Sequence, residues 1–283
     1  MFRSKLIKAL RATPLYVWVI MFTVLPLLMI CFYAFFEVKL DGIQFSMEYF
    51  KAAITNTDYL KTMVLSFRHA IISTIACLLL GYPVAYILTT ISERVRGFVL
   101  VLFLLPMWMN FLIRTYAMRA LIEKDGILSG FFTLIGISEG TLIGTDAAIV
   151  IGMVYNFLPF MILPIYNSLS KLDHRLVEAA QDLGANGLTV FRKVILPLSV
   201  PGIVSGITMV FMPAVTTFVI PQMLNNKVMT IGSLIEYKFK QEVSASAVSG
   251  TGAALSMVLM VLVIISMTIV NKFDKDGEGG GFI

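Results

Sequence analysis

Charged residues are scarce in this 283-residue chain. Lys, Arg, Asp and Glu make up 14% of it, whereas 58% of the residues are hydrophobic. An ordinary soluble domain has about 25% charged residues. The 22 basic and 17 acidic residues also all lie outside six long apolar runs. Composition and pattern together exclude an ordinary water-soluble domain and predict a polytopic membrane protein.

Residues that could build a catalytic or metal site are also few. The two cysteines, Cys31 and Cys77, both lie in apolar runs, and the two histidines, His69 and His174, stand in no metal-ligand spacing. A phosphate-binding loop of the type G-x-x-x-x-G-K-[ST] is absent as well. We therefore expect two unpaired thiols, two histidines near the membrane interface, and no catalytic residue, metal or cofactor on this chain.

Six runs without a charged residue define the predicted spans. They are residues 15–36, 70–91, 97–113, 147–169, 194–220 and 248–270. A helix of about 20 residues crosses the hydrocarbon core of a bilayer, so each run is long enough or nearly so. The shortest run is flanked by Arg96 and Arg114, whose long side chains are predicted to reach the headgroups. The predicted fold is an all-α polytopic membrane protein with six transmembrane helices.

The distribution of basic residues predicts the orientation of these spans. The predicted inner segments carry 12 Lys and Arg residues in 56 positions, and the outer segments carry 10 in 93. Basic residues concentrate on the cytoplasmic side, so both termini are predicted to be cytoplasmic. The domain division is then a cytoplasmic segment 1–14, a transmembrane domain 15–270 and a cytoplasmic tail 271–283. No long basic stripe is present, which excludes a nucleic-acid partner.

Two predicted outer loops contain structure of their own. In the loop 37–69, charged residues alternate with aromatic ones, a pattern that favours a short helix on the outer surface. In the loop 114–146, an apolar stretch at 127–137 is punctuated by glycines and is too short to span. This stretch is predicted to be re-entrant or interfacial.

The long inner loop 170–193 combines charged residues with a helical apolar pattern. Leu176, Ala179 or Ala180, and Leu183 share one face of a helix at this spacing. Asp173 is a suitable N-cap, and Gly184 is a suitable C-terminal stop. The loop is predicted to hold a short amphipathic helix that is exposed to the cytoplasm and ends in a sharp turn.

The order of residues in this loop resembles the E-A-A-x3-G-x9-I-x-L-P signature of ABC-importer permeases. Glu178-Ala179-Ala180 is followed by Gly184 and then by Val194-Ile195-Leu196-Pro197, with Val194 in place of the usual isoleucine. The resemblance implies the type I importer fold (MetI-like) and a coupling helix that docks on a cytoplasmic ATPase. The residues to which it assigns this coupling are Glu178, Ala179, Ala180, Asp182, Leu183, Gly184 and Pro197.

Shorter motifs are similar to those of the spermidine/putrescine permeases within that family. They are Leu80 to Tyr86, Leu105 to Trp108 with Asn110, Leu112 to Tyr116, and Leu158 to Met161 with Pro164, Tyr166 and Lys171 to Asp173. The similarity implies half of a polyamine pore, completed by a second permease subunit. It also implies two copies of a cytoplasmic ABC ATPase, which carry the ATP and Mg, and an extracytoplasmic polyamine-binding protein in a bacterial inner membrane.

A polyamine is a multivalent cation, so carboxylates or aromatic faces are expected along its path. The six apolar runs contain no acidic residue. Aromatic rings and amides are therefore the candidates for the substrate pathway: Trp108, Asn110, Tyr155, Asn156, Phe157 and Phe160.

Other functions remain open at the level of sequence. The coupling signature is shared by permeases for iron, thiamine, phosphate and sugars, so the substrate depends on the shorter motifs alone. An ATPase-independent channel would not need the coupling pattern. A secondary transporter usually has a charged residue within its spans for ion coupling, and the six runs have none.

Overall fold

The computed structural model describes residues 13–39, 42–124, 126–134, 142–245 and 250–272. The helices in these residues are α1 (Thr13–Phe35), α2 (Glu48–Thr55), α3 (Thr57–Thr90), α4 (Glu93–Trp108), α5 (Phe111–Ile122), α6 (Ile127–Leu134), α7 (Asp146–Leu169), α8 (His174–Asp182), α9 (Gly187–Thr216), α10 (Val219–Leu224), α11 (Ile231–Ala245) and α12 (Thr251–Asn271). Two short antiparallel strands, β1 (Phe36–Lys39) and β2 (Gly42–Phe45), pair with each other.

Five of these helices are long and apolar enough to cross a membrane: α1, α3, α7, α9 and α12. The pair α4 and α5 passes the same test only when taken together, and the chain bends by 101° between the segments Glu93–Trp108 and Phe111–Phe131. The polytopic all-α fold is confirmed, with six spans if the bent pair counts as one. The prediction that 97–113 forms one continuous helix is wrong.

The break in this third span has a local cause. Pro106 has no N–H to donate within the last turns of α4, and Asn110 is extended, with a ψ of 129°. The Asn110 side chain accepts a hydrogen bond from the backbone N–H of Leu112 at 2.8 Å. A helix ends and a new one begins here because one residue weakens the first helix and another caps the second.

Two spans are longer than their charge-free runs. The helix α3 begins at Thr57 rather than at 70, and α9 begins at Gly187 rather than at 194. Arg68 in α3, and Arg192 and Lys193 in α9, are exposed on the helix surface. A charged residue therefore ends the hydrocarbon-facing part of these helices without ending the helix.

A π-helical turn interrupts two of the spans. In α1 it covers Ile20–Val24, and in α9 it covers Phe191–Ile195. In each case the next residue donates its N–H to the carbonyl five positions earlier, and a proline follows directly. Proline cannot donate the usual hydrogen bond to the carbonyl four positions earlier, so a regular α-helix would lose a bond at this residue. In both spans the wider π-helical turn stands directly before that position.

The described residues form two compact units, one from residues up to 61 together with 234–262, the other from 62–233 together with the residues from 263. In the first unit, the hairpin of β1 and β2 follows α1, and the backbone N–H of Ser46 donates to Phe35 O at 2.8 Å. The predicted outer loop 37–69 therefore contains a hairpin that the sequence analysis did not predict, followed by the predicted short helix, α2.

The second unit is built around the contact between α7 and α9. Glycines allow this approach: a Cβ on Gly202 would come within 2.5 Å of the Ser168 Cβ and 2.7 Å of the Pro164 carbonyl oxygen. A Cβ on Gly206 would lie 2.7 Å from the sulfur of Met161. Small residues at four-residue spacing let helices pack closely in this way.

The apolar stretch at 127–137 is helical as far as the structure describes it. The helix α6 covers Ile127–Leu134 and packs beside α5. The remaining residues of the stretch, 135–137, lie outside the described residues, as do most of the predicted N-terminal segment and the C-terminal tail. Its re-entrant or interfacial position stays a prediction.

Candidate functional site: an exposed loop helix and a broken span

The loop between α7 and α9 forms the predicted helix, α8. Asp173 is its N-cap, and its carboxylate accepts a hydrogen bond from the backbone N–H of Arg175 at 3.0 Å. The backbone carbonyl of Asp173 also accepts from Leu176 N at 3.1 Å. The amphipathic helix and its N-cap are confirmed, because a short acceptor side chain satisfies the unpaired amides of the first turn.

The turn that ends α8 depends on Gly184. Its φ is +81°, in the left-handed region, and Ala185 N donates to the Ala180 carbonyl at 3.1 Å. A Cβ at this position would meet nothing within 4 Å, so the glycine serves the backbone angle and not close packing. Asn186 follows and accepts from the backbone N–H of Thr189 at 2.9 Å, which caps α9.

The surface of α8 carries apolar side chains that the described part of the chain leaves largely exposed. Leu176 is 50% exposed, Leu183 is 89% exposed, and Leu188 just beyond the turn is 62% exposed. Glu178, Ala179 and Asp182 are exposed on the same helix. An apolar row flanked by charges, held by caps at both ends and left open, has the character of a docking surface for another protein.

Aromatic contacts connect the loop to α3. The ring of Phe191, in the π-helical turn of α9, lies edge-on to the rings of Tyr82 and Tyr86, with centroids 5.8 and 6.3 Å apart. The Tyr82 hydroxyl and the Ser199 hydroxyl are 3.0 Å apart. These contacts join the start of α9, directly after the turn that ends α8, to α3.

An open groove of about 890 Å³ lies between α7 and α9 and reaches α8. Its walls include Phe160 and Met209 in the spans, Lys171 and Asp173 before the loop helix, and Leu176 on it. A residue predicted for the substrate pathway, Phe160, thus lines the same groove as the apolar face of α8.

The other predicted pathway residues fall into two groups. Trp108 is 80% exposed and Asn110 is exposed, and both stand at the break between α4 and α5. Tyr155 is 38% exposed on α7, next to Asn156 and Phe157, which are buried. The role of all of them in the pathway stays a prediction.

Arg114 connects these two groups, and sequence reasoning missed it. The prediction that its side chain reaches the headgroups is wrong, because Arg114 is only 6% exposed. Its Nε donates to Asn156 Oδ1 at 2.7 Å and its Nη1 donates to the Pro106 carbonyl at 3.0 Å. The break in the span places Arg114 in the first turn of α5, on the side that faces α7. Its place in the Leu112 to Tyr116 motif was the available signal.

His69 is also buried inside the protein. It is 1% exposed, and its Nε2 lies 3.5 Å from Asp146 Oδ2. Arg68 pairs with the same carboxylate at the start of α7. The side chain of His174 falls outside the described part of the chain. Both thiols, Cys31 and Cys77, are unpaired, as predicted.

Several apolar spans and an exposed, capped helix in the loop before α9 define the class of the protein, a membrane permease subunit. The family model for the binding-protein-dependent transport system inner membrane component matches residues 78–276, and the chain belongs to that family. It is therefore a multi-pass inner-membrane protein and a transport subunit rather than an enzyme.

Curated relatives of this chain carry the name spermidine/putrescine transport system permease protein PotB. The relative from Salmonella typhimurium is 33% identical over 268 residues, which is 92% of this chain and 93% of the relative. That from Haemophilus influenzae is 37% identical over 264 residues, 90% of this chain and 91% of the relative. That from Escherichia coli is 33% identical over 267 residues, 92% and 97% of the two chains.

Solved structures of ABC transporters share the fold. A chain of a bacterial transporter involved in the import of the acidic polysaccharide alginate superposes with a TM-score of 0.77 at 15% identity, covering 96% of both chains. A chain of the MetNI methionine transporter, in inward-facing form, gives a TM-score of 0.54 at 19% identity, covering 76% of this chain and 95% of that one. At these identities the likeness shows the fold alone, the MetI-like fold predicted above.

Proposed function

We propose that this chain forms half of the translocation pore of an ATP-driven importer for polyamines, spermidine or putrescine. The observation that carries the proposal is the identity of 33 to 37% with permeases named PotB, over at least 90% of the chain. A second, related permease subunit completes the pore, and an extracytoplasmic binding protein delivers the polyamine to it.

The energy for transport comes from two copies of a cytoplasmic ABC ATPase that bind ATP and Mg. In this proposal α8 is the docking helix. Leu176 and Leu183 enter an apolar groove on the ATPase, the small Ala179 and Ala180 allow close approach, and Glu178 meets a basic or backbone donor. Both termini and α8 then lie on the cytoplasmic side.

Closure of the ATPase dimer on ATP moves α8, and the packed contacts of Phe191 with Tyr82 and Tyr86 pass the movement to α3. A two-state change of this kind opens the pore to the outside, and hydrolysis returns it to the inside. The chain supplies the pathway and the mechanical link, and bond breaking takes place on the ATPase.

Uptake of labelled spermidine tests the proposal. Cells that lack polyamine importers would express this chain with its genomic neighbours, with and without an ATPase-dead partner. We expect ATP-dependent uptake that putrescine competes for and that sugars and amino acids do not. An assembled complex without polyamine uptake would leave the importer class standing and point to another small solute, such as iron, thiamine, phosphate or a sugar.

Two substitutions test the docking role of α8. Glu178→Lys reverses a charge on the exposed face, and Gly184→Asp adds a negative charge at the end of the proposed docking surface. We expect both variants to insert in the membrane at normal levels and to lose uptake and co-purification of the ATPase. Glu123→Lys, a charge reversal at an exposed site after α5, is the control. Normal uptake by either docking variant would refute the role of α8.

A further inference from the structure

We propose that Arg114 is a positioning residue of the transport pathway, because it ties the break in the third span to α7. Its guanidinium joins the carbonyl of Pro106, in the last turn of α4, to the side chain of Asn156 in α7. The inference goes beyond the proposed function and rests on it only for the transported substrate used in the test.

The burial of Arg114 is the first step of the argument. A guanidinium is costly to remove from water, and one within a span is expected to have partners and a function. Among the residues that the structure describes, its polar partners are an amide oxygen and a backbone carbonyl, and the ring of Phe111 lies 5.8 Å from its Cζ. The charge is thus held by neutral acceptors on two different elements.

The second step concerns the break itself. The last carbonyls of a helix have no partner within the helix. The Pro106 carbonyl accepts from Met109 N at 3.3 Å and from Arg114 Nη1 at 3.0 Å, so Arg114 supplies the shorter of the two bonds. Together with the Asn110 cap on the far side, it fixes how α4 meets α5.

The third step concerns Asn156. Its Oδ1 accepts from Arg114 Nε at 2.7 Å, and its Nδ2 donates to the Gly152 carbonyl at 2.8 Å, so the orientation of the amide is set at both ends. The planar fork of arginine can donate to two acceptors at once in fixed directions, which the single ammonium of lysine cannot reproduce. An Arg to Lys change is therefore not conservative at this position.

These bonds also unite motifs that are far apart in the sequence. The segments Leu105 to Trp108 and Leu112 to Tyr116 are joined to Asn156 through the side chain of Arg114. Trp108 at the break and Tyr155 beside Asn156 are both exposed, at 80% and 38%. By holding the break against α7, Arg114 sets where these two aromatic residues stand relative to each other.

The test uses the assembled importer in lipid vesicles, with the maximal rate and the KM of spermidine uptake as readouts. We expect Arg114→Lys and Asn156→Ala each to lower the maximal rate about tenfold, and the double variant Arg114→Lys with Asn156→Ala to be no slower than the single ones, because both changes remove one linkage. The KM should stay unchanged, since the binding protein sets it. Arg119→Lys, a matched change farther along α5, should keep the wild-type rate.

Rescue separates positioning from general damage. In the variant Arg114→Lys with Asn156→Asp, an ammonium–carboxylate pair replaces the fork, and we expect the rate to return to within about threefold of wild type. Three results would each overturn the proposal. They are a wild-type uptake rate for Arg114→Lys, a double variant whose loss of rate is the product of the two single losses, and a rescue variant that assembles but does not regain the rate. If Arg114→Lys or the double variant fails to assemble, the uptake rate of Asn156→Ala is compared with that of the rescue variant. A higher rate in the rescue variant then supports the positioning role, and an equal rate overturns it.

Failure of the proposed substrate is distinguishable in the same experiment. If the wild-type complex assembles but does not take up spermidine, the polyamine assignment is contradicted. The ratio of binding-protein-stimulated ATP hydrolysis between each variant and wild type then takes the place of the uptake rate. A ratio near one for Arg114→Lys overturns the positioning role, and a tenfold lower ratio with rescue supports it.

Discussion

At the scale of single residues, Gly184 shows how one backbone angle determines a surface. The glycine has a φ of +81° and open space around its α-carbon, whereas Gly187, three residues later, begins a helix with the same open space. The two glycines differ in backbone angle and not in crowding. Substitutions at the two positions therefore separate strain from packing.

We expect Gly184→Val to loosen α8, because a left-handed angle costs an L-residue about 1 to 2 kcal/mol, and a β-branched side chain is the least tolerant of it. Amide hydrogen exchange over residues 174–185 should become about tenfold faster, since 1.4 kcal/mol corresponds to a factor of ten. Gly184→Asn should exchange at nearly the wild-type rate, because Asn tolerates this angle.

The matched control for this prediction is Gly187→Ala, which adds a methyl group in open space at the start of α9. Its exchange over α8 should equal that of wild type. Equal exchange in Gly184→Val and wild type would show that the turn at Gly184 does not hold the helix.

At the scale of helices and strands, the caps were the most reliable sequence signals. Asp173 and Gly184 predicted the ends of α8 because a cap acts through the backbone within a few residues. Pro106 and Asn110 carry the same kind of signal for the break in the third span. The break was not predicted, because an uninterrupted run without charge indicates a single continuous helix. The hairpin was missed although Phe36, Glu37, Val38 and Lys39 alternate apolar and polar residues, the pattern of a half-exposed strand.

The inward position of Arg114 could not be predicted from the charge pattern. A basic residue at the end of an apolar run reaches the headgroups if the run is one straight helix. After the break, the same residue lies in the first turn of a differently directed helix and faces α7. The direction of a side chain thus depended on a backbone bend about four residues away.

We expect Gly202→Ala to destabilise the contact between α7 and α9 by about 1 to 3 kcal/mol, the usual cost of overpacking a filled interface. Its new Cβ would come within 2.5 Å of the Ser168 Cβ, and the nearby Pro164 oxygen belongs to the backbone and cannot move aside. The melting temperature of the purified protein should fall by several degrees.

Gly97→Ala in α4 is the control for this prediction, since a Cβ there meets nothing within 4 Å. Alanine favours a helix over glycine by about 0.5 to 1 kcal/mol, so this variant should melt at or above the wild-type temperature. A melting temperature for Gly202→Ala as high as that of Gly97→Ala would exclude close packing as the role of Gly202.

At the scale of the whole molecule, composition predicts the fold class but does not predict which residues line the substrate path. The charge-free runs predicted the five unbroken spans of the described residues and the position of the broken pair, because hydrocarbon excludes charge along its full depth. In the proposed importer the path lies between two permease chains, so the surroundings of Trp108 and Tyr155 there depend on residues that this sequence does not contain. Of the candidate site, α8 followed from the sequence and the Arg114 linkage did not.

We expect Leu183 and Lys61 to face opposite sides of the membrane. Both are exposed, Leu183 at 89% and the Lys61 side chain at 73%. In the full chain expressed in cells, a membrane-impermeant maleimide should label Lys61→Cys in intact cells, and Leu183→Cys only after the cells are opened. Cys77 is buried, and the wild-type chain measures labelling of the native thiols. Labelling of Leu183→Cys in intact cells would invert the orientation.

The helix α1 differs from the other spans in how few of its residues are buried. None of the residues in its most apolar 18-residue window is buried, whereas 56% of the residues in the corresponding window of α7 are buried. Length and hydrophobicity are therefore almost all that this polypeptide itself requires of α1. We expect the exposed side chains of this window to be set by what lies against them in the membrane, lipid or a partner subunit.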